Sequence, residues 1–76
     1  MESQTFGEKA VGATFNPSQS SLVDEIKNNF AKVIDLLALS RGEDTVTDEQ
    51  KRMYSIAITE AQSACMWAVK AATWKE

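Results

Sequence analysis

The sequence has no histidine, so it lacks the residue that enzymes most often use as a general base. It has one cysteine, Cys65, which excludes a disulfide scaffold, disfavours a zinc site and suits a reducing cytosol. No segment approaches the roughly 18 consecutive apolar residues of a membrane span, and residues 1–12 lack the apolar core of a signal peptide. We therefore expect no metal, no cofactor and no membrane partner.

Positive charge is also scarce. There are 8 Lys and Arg residues against 11 Asp and Glu, for a formal net charge of −3. This balance disfavours an extended contact with DNA, while a small anionic ligand in a local basic pocket is still compatible with it. The 76 residues form one small domain, and so small a domain buries only a modest core. Because disulfides and metals are excluded, we expect oligomerisation to supply further burial.

Two long segments carry apolar side chains at helical spacing. The first, residues 17–40, has them in steps of 3, 4, 3 and 4, and the second, residues 48–73, begins with a capping box of Thr47 and Gln50. We expect Gly42 to close the first helix in a left-handed conformation. Residues 1–15 have no clear period. The predicted fold is all-α, a two-helix antiparallel hairpin spanning 1–76 with an irregular head. The first helix's predicted seam consists of Val23, Ile26, Phe30, Val33 and Leu37.

The only proline, Pro17, lies at the predicted start of the first helix. Asn16-Pro17-Ser18 resembles a glycosylation acceptor but is excluded as one by its central proline. Asn16 is a favourable N-cap, Pro17 suits the first helical position, and Gln19 is placed to complete a capping box. The segment is therefore either a plain helix start or a helix start that also holds a ligand.

The second helix has more apolar surface than one hairpin partner can cover. One stripe of it holds only alanines, a second includes Cys65, and a third includes Trp67 and Trp74. Small side chains along a stripe let another helix approach closely, so we expect contacts with other subunits to cover the excess. The alanine stripe consists of Ala57, Ala61, Ala64, Ala68 and Ala71.

A candidate binding site lies at the open end of the predicted hairpin. A turn centred near residues 43–44 places Lys70 level with Pro17, and Lys27 level with Glu60. Cations beside aromatic rings suit phosphates and nucleobases together. The competing interpretation is that the tryptophans pack in an interface and the lysines are only solvated. The residues gathered at the open end are Phe6, Lys9, Phe15, Lys70, Trp74 and Lys75.

The side chains of the adjacent acidic pairs 24–25 and 48–49 diverge around their helices and do not converge on one point. We therefore expect no enzyme activity.

Three strings of the sequence resemble a known family: FGEKAVGATFNPS at residues 6–18, SIAITEAQ at 55–62 and MWAVKAATW at 66–74. They are similar to the phage cyclic-oligonucleotide sponges that counter CBASS and Thoeris immunity. The resemblance implies a helical hairpin that assembles into a compact hexamer. It also implies that cyclic dinucleotide or trinucleotide messengers are sequestered without cleavage, in the cytoplasm of the infected host.

The resemblance also suggests site residues. In the family's dinucleotide site an aromatic residue of the head stacks on a base and a lysine of the first helix meets phosphate. Ile26-Lys27 matches that step, Asn29 stands where the family has threonine, and the head aromatic is Phe6 or Phe15. The predicted ligand contacts are Phe6, Lys9, Phe15, Lys27, Asn29, Lys70 and Trp74.

The resemblance bears on a second ligand site, and the residues leave a second function open. Many longer members of the family have an arginine in the second helix that would serve a trinucleotide, and Ile58 occupies that position here. The alternative function is a ligand-free helical oligomer that inhibits or scaffolds a host protein. The net charge of −3 favours this alternative, while the cluster of lysines and aromatic residues favours the sponge.

Overall fold

The computed structural model describes residues 3–76, and its regular structure within that range is entirely helical. The helices are α1 (Phe6–Val11), α2 (Ser21–Arg41) and α3 (Asp48–Ala72). Helices α2 and α3 form the predicted antiparallel hairpin, and α1 packs mainly against α2. The all-α hairpin is therefore confirmed, while the first two residues of the predicted head lie outside the described range.

The prediction of an irregular head was wrong, because residues 6–11 form a helix. The Thr5 hydroxyl accepts a hydrogen bond from the Glu8 backbone N–H at 3.0 Å, and the Glu8 carboxylate accepts one from the Thr5 N–H at 2.7 Å. Gly12 ends the helix in the left-handed region, at φ 63°. A helix of 6 residues is too short to show a period, although both of its caps can be recognised in the sequence.

Helix α2 begins later than predicted, and Asn16 is not its N-cap. The cap is Ser20, whose hydroxyl accepts from the Val23 N–H. Gln19 has a φ of 56°, which interrupts any helix that starts at Pro17 and excludes the predicted capping box. Asn16 instead bridges the turn, donating from its amide to the Ser20 carbonyl oxygen at 2.8 Å and to an Asp24 carboxylate oxygen at 2.9 Å.

The other helix ends lie close to their predicted positions. Helix α2 ends at Arg41, but Gly42 has a φ of −84° and is not the expected left-handed cap. The capping box of Thr47 and Gln50 at the start of α3 is confirmed. Helix α3 ends at Ala72, and Thr73 is its C-cap.

The core is narrow, and its position on α2 differs from the predicted seam. Of the predicted seam only Val23 is fully buried, and Val33 is 48% exposed. Because α2 packs against both α1 and α3, its buried side runs between them rather than along a single hairpin seam. On α3 the buried residues are Ile58 and Cys65 rather than the alanine stripe. The buried residues of α2 are Val23, Lys27, Ala31 and Ile34.

The chain forms a thin slab that measures 46 × 33 × 12 Å. Its shortest dimension is close to the diameter of one helix, so the described chain lacks the second layer on which a domain usually closes its core. None of the helices within residues 3–76 combines the length and apolarity that a membrane crossing requires. Because the slab that the described residues form has no second layer, large apolar side chains face outward, among them Phe15, Leu36, Leu39, Met66, Trp67 and Trp74.

Candidate functional site

Lys27 is a buried cation that fastens the head to the hairpin. The residue is only 7% exposed. The ammonium group donates to the Gly12 carbonyl oxygen at 3.0 Å and to the Phe15 carbonyl oxygen. An ammonium group has three N–H donors, so one remains for a further acceptor. Lys27 therefore holds the loop after α1 in place and still has one N–H donor available to a further acceptor.

Phe15 lies in the same loop, and the residue is 69% exposed. The Lys27 Nζ atom is 5.6 Å from the ring centroid, which is within cation–π range. An outer groove of about 240 Å³ separates this loop from the last turn of α3. An exposed aromatic ring beside a cation at a groove edge is an arrangement that can stack on a base and contact a phosphate. The outer groove is lined by Phe15, Asn16, Pro17, Ser18, Val23, Lys27, Val69 and Thr73.

Lys27 also lines an inner groove of about 220 Å³ between α1 and α3. Gln62 donates from its side-chain amide to the Ala10 carbonyl oxygen at 3.3 Å and so joins the two helices. Burial raises the pKa of the Cys65 thiol, and the nearby charge of Lys27 partly opposes this shift, so the net effect disfavours the nucleophilic thiolate. Lys27 thus faces Cys65 and Val69, not Glu60 as the predicted hairpin alignment required.

Close packing of α1 on α2 sets the position of the loop after α1, which contains Phe15. The Gly7 N–H donates to an Asp35 carboxylate oxygen at 2.7 Å. Gly7 is buried, and a Cβ atom at this position would overlap the Ala31 carbonyl oxygen and come within 2.9 Å of the Asp35 Cγ atom. The absence of a side chain at Gly7 therefore allows the contact between α1 and α2.

Lys70 and Trp67 lie on α3, and Trp74 follows just beyond the end of that helix. The Lys70 Nζ atom is 5.4 Å from the Trp67 ring centroid and 5.9 Å from that of Trp74. The two indoles are 68% and 62% exposed, respectively. With Ala71 they line a slot of about 370 Å³, which we call the Trp67–Trp74 slot.

The structure does not bring the other predicted residues into these grooves. Phe6 and Lys9 are exposed on α1, and Asn29 donates its amide to the Glu25 carbonyl oxygen on its own helix at 2.9 Å. The predicted set therefore divides into the Lys27–Phe15 pair, the Lys70–Trp74 pair and residues outside both.

Two contributors were missing from the predicted set. Trp67 precedes Lys70 by three positions on α3, a helical spacing that could have placed it in the site. Gln62 reaches α1, and no local pattern in the sequence indicates this contact. In the part of the chain that the structure describes, no group of three or more His, Cys, Asp or Glu side chains could hold a metal ion.

The comparisons with known proteins agree with this architecture. Residues 8–73 match the family described as Acb2/Tad1, hairpin domain. No curated protein and no solved structure matches the chain. The matched range includes Lys27, Phe15 and the Trp67–Lys70 segment, and it covers most of the 76 residues. The chain therefore belongs to the Acb2/Tad1 hairpin family, the phage sponges for cyclic oligonucleotides.

Proposed function

We propose that this protein sequesters cyclic oligonucleotide second messengers, without cleaving them, to protect a phage from host immunity. The observation that carries the proposal is the pairing of an exposed Phe15 ring with the Lys27 ammonium at the edge of the outer groove. A cyclic dinucleotide presents a base and a phosphodiester close together, and this pair of groups can contact both. Family membership supports the same class of ligand.

Lys27 acts in two ways in this proposal. Its bonds to Gly12 and Phe15 hold the loop in place, and its remaining N–H is available to a phosphodiester oxygen. Such a charge-assisted contact contributes about 1.5–3 kcal/mol. The remaining proposed ligand contacts lie outside this pair: Phe6, Lys9 and Asn29 on α1 and α2, and Lys70 and Trp74 in a region of their own.

The proposed working form is a homo-oligomer, and a hexamer is the form that the family suggests. The slab is only 12 Å thick and leaves Leu36, Leu39 and Met66 exposed, so further chains would supply the missing second layer. An oligomer also lets residues such as Lys9 and Phe6 reach a ligand bound on a neighbouring chain. The proposed place of action is the host cytoplasm, where the messengers are made.

The binding test is calorimetric titration of the full chain with a panel of cyclic dinucleotides and trinucleotides. Lys27→Ala should weaken dinucleotide binding about 10- to 100-fold, at about 1.4 kcal/mol per decade. Lys32→Ala is the matched control, because Lys32 is an exposed cation on α2 that lines neither the outer nor the inner groove. Equal affinities for the two variants would remove Lys27 from the site.

Phe15→Ala separates stacking from tethering. The Phe15 ring is mostly exposed and the backbone carbonyl that Lys27 binds is retained, so the loop should keep its position. Base–aromatic stacking contributes about 1–3 kcal/mol, so affinity should fall at least about fivefold. Full affinity in Phe15→Ala would exclude this ring as the stacking group.

Sequestration without cleavage has its own test. The bound cyclic nucleotide should be recovered intact by chromatography after heat denaturation of the complex. Linear products would point instead to a hydrolase.

The oligomer is tested at Ala64, which is exposed on the single chain. Ala64→Glu should be harmless to an isolated hairpin and should disrupt an assembly that buries this residue. Light scattering should show a smaller species for this variant than for the native protein. A folded 8.4 kDa species for the native protein at micromolar concentration would exclude the oligomer.

The second candidate function, a ligand-free inhibitor or scaffold of a host protein, is favoured by the exposed Leu36, Leu39 and Met66. It predicts an oligomer without nucleotide binding.

A further inference from the structure

The Trp67–Trp74 slot differs from the other grooves in the availability of its cation. In the described residues the ion pair is Arg52–Glu49, and the Lys70 ammonium has neither a carboxylate nor a carbonyl partner. It lies instead within 6 Å of two indole rings. The Lys27 ammonium, in contrast, already donates to two carbonyl oxygens. Of the two lysines, Lys70 is the one whose three N–H donors are all available to an anion, whereas Lys27 has one left.

The shape of the slot suits a flat group. Trp67 lies on α3 and Trp74 lies two residues beyond its last residue, and the Lys70 Nζ atom is within 6 Å of both ring centroids. Ala71 lies between the two tryptophans in the sequence, and its methyl group leaves the space over the helix open. The volume of about 370 Å³ exceeds what a single planar ring system needs. A ring placed over Ala71 would stack on an indole while an anionic substituent meets Lys70.

We infer that the Trp67–Trp74 slot is a second ligand site, separate from the Lys27 grooves, which binds one nucleotide unit by stacking its base on an indole and pairing its phosphate with Lys70. The inference rests on the proposed function for the choice of a nucleotide as the natural ligand. The net charge of −3 disfavours a long nucleic acid as the occupant, because a polyanion would be repelled beyond the slot. The slot therefore takes a small nucleotide or one unit of a cyclic oligonucleotide.

The composition of the chain makes the slot unusually easy to observe. The sequence has 2 tryptophans, and both line the slot. Intrinsic tryptophan fluorescence therefore reports on this site without interference from the rest of the chain. A stacked base should quench it.

The experiment is fluorescence titration of the full chain with AMP, adenosine, ribose 5-phosphate, a cyclic dinucleotide and a single-stranded DNA oligomer. We expect saturable quenching by AMP with a Kd of about 1 mM or below, weaker quenching by adenosine and none by ribose 5-phosphate. A cyclic dinucleotide should quench at least as well as AMP. The DNA oligomer should not bind more tightly than AMP, and tighter binding would overturn the choice of a small nucleotide.

Variants assign the effect to the slot. Lys70→Gln should weaken AMP about five- to tenfold, and Trp67→Leu should weaken AMP and remove most of the quenching signal. Lys51→Gln is the matched control, because Lys51 is an exposed lysine at the other end of α3. The inference is overturned if AMP does not quench, or if Lys70→Gln and Lys51→Gln behave alike. It is also overturned if Trp67→Leu lowers the molar mass of the native oligomer, since the slot is then a contact between copies of the chain.

The outcomes for the slot and for the proposed function can be told apart. If calorimetry with Phe15→Ala and Lys27→Ala supports dinucleotide binding while AMP leaves the tryptophans unquenched, only the slot is excluded. If AMP quenches and no cyclic oligonucleotide binds anywhere, the proposed function fails and the slot remains a mononucleotide site.

Discussion

The molecule pairs a lysine with aromatic rings in two places, and the two lysines have opposite surroundings. Lys27 is 7% exposed and bonded to two backbone carbonyl oxygens, whereas Lys70 is exposed and contacts only indole rings. A buried cation with fixed partners stabilises the fold around it, while an exposed cation contributes little until a ligand arrives. The difference indicates that a lysine grouped with aromatic residues in the sequence can have either role, and that the pattern alone does not distinguish a lysine that stabilises the fold from one that is available to a ligand.

The largest expected effect is at Gly7, on which docking of α1 and hence the Lys27 region depends. Gly7→Ala adds a Cβ atom that overlaps backbone of α2, so α1 must move away. We expect a loss of about 3 kcal/mol in unfolding free energy, at the upper end of overpacking penalties, measured by urea denaturation at fixed protein concentration.

Gly42→Ala is the control for this variant. A Cβ atom at Gly42 would meet its nearest neighbour, the Leu39 carbonyl oxygen, at 3.5 Å, which is an ordinary contact. Its stability should be unchanged or slightly higher. A Gly7→Ala protein as stable as Gly42→Ala would show that α1 does not need this close approach.

The next effect is at Lys27. Lys27→Met keeps much of the apolar stem but leaves the Gly12 and Phe15 carbonyl oxygens without their donor. We expect a loss of about 2 kcal/mol in unfolding free energy. Cys65 lies in the inner groove beside Lys27, so its alkylation by iodoacetamide should become about tenfold faster as the head opens more often. Unchanged stability together with an unchanged alkylation rate would mean that Lys27 does not tether the head.

A smaller effect is expected at the Phe15 ring. Phe15→Leu removes the cation–π contact with Lys27 but retains an apolar side chain and the loop carbonyl. Because the ring is mostly exposed, the loss should be about 0.5–1 kcal/mol. A loss as large as that of Lys27→Met would indicate that the ring, rather than the backbone carbonyls, holds the loop.

The smallest effect on stability should be at Lys70. Lys70→Gln changes an exposed side chain without a carbonyl or carboxylate partner, so the unfolding free energy should change by less than about 0.5 kcal/mol. The same variant should still weaken AMP binding, and that combination distinguishes a ligand contact from a structural one. A stability loss comparable with that of Lys27→Met would make the two lysine regions equivalent.

The two-helix hairpin could be predicted from the sequence, and the reasons are local. The period of apolar residues in α2 and α3 and the capping box of Thr47 and Gln50 are encoded within a few residues of where they act. The cap of α1 was equally local, in Thr5, Glu8 and Gly12, and was overlooked because so short a helix has no period. The start of α2 was misplaced because Asn16 and Pro17 suit a turn as well as a helix start.

The site could be predicted only in its residue types. The sequence placed Phe15, Lys70 and Trp74 in one candidate cluster, the family resemblance added Lys27, and the strings of residues were enough to identify the sponge family. It did not indicate that Lys27 is buried or that Trp67 joins Lys70, because both facts depend on the faces that the packed helices present.

The sequence by itself determined the two long helices, the hairpin connection and membership of the family, since these follow from local spacing and from strings of adjacent residues. The tertiary structure decided the rest. Docking α1 on α2 through Gly7 brings the carbonyl oxygens of Gly12 and Phe15 onto Lys27, and this makes one lysine a tether. Lys70 is exposed on α3, and its ammonium lies beside the indoles of Trp67 and Trp74. The physical reason is that the surroundings of a charge are set by residues distant in sequence, which only packing brings together.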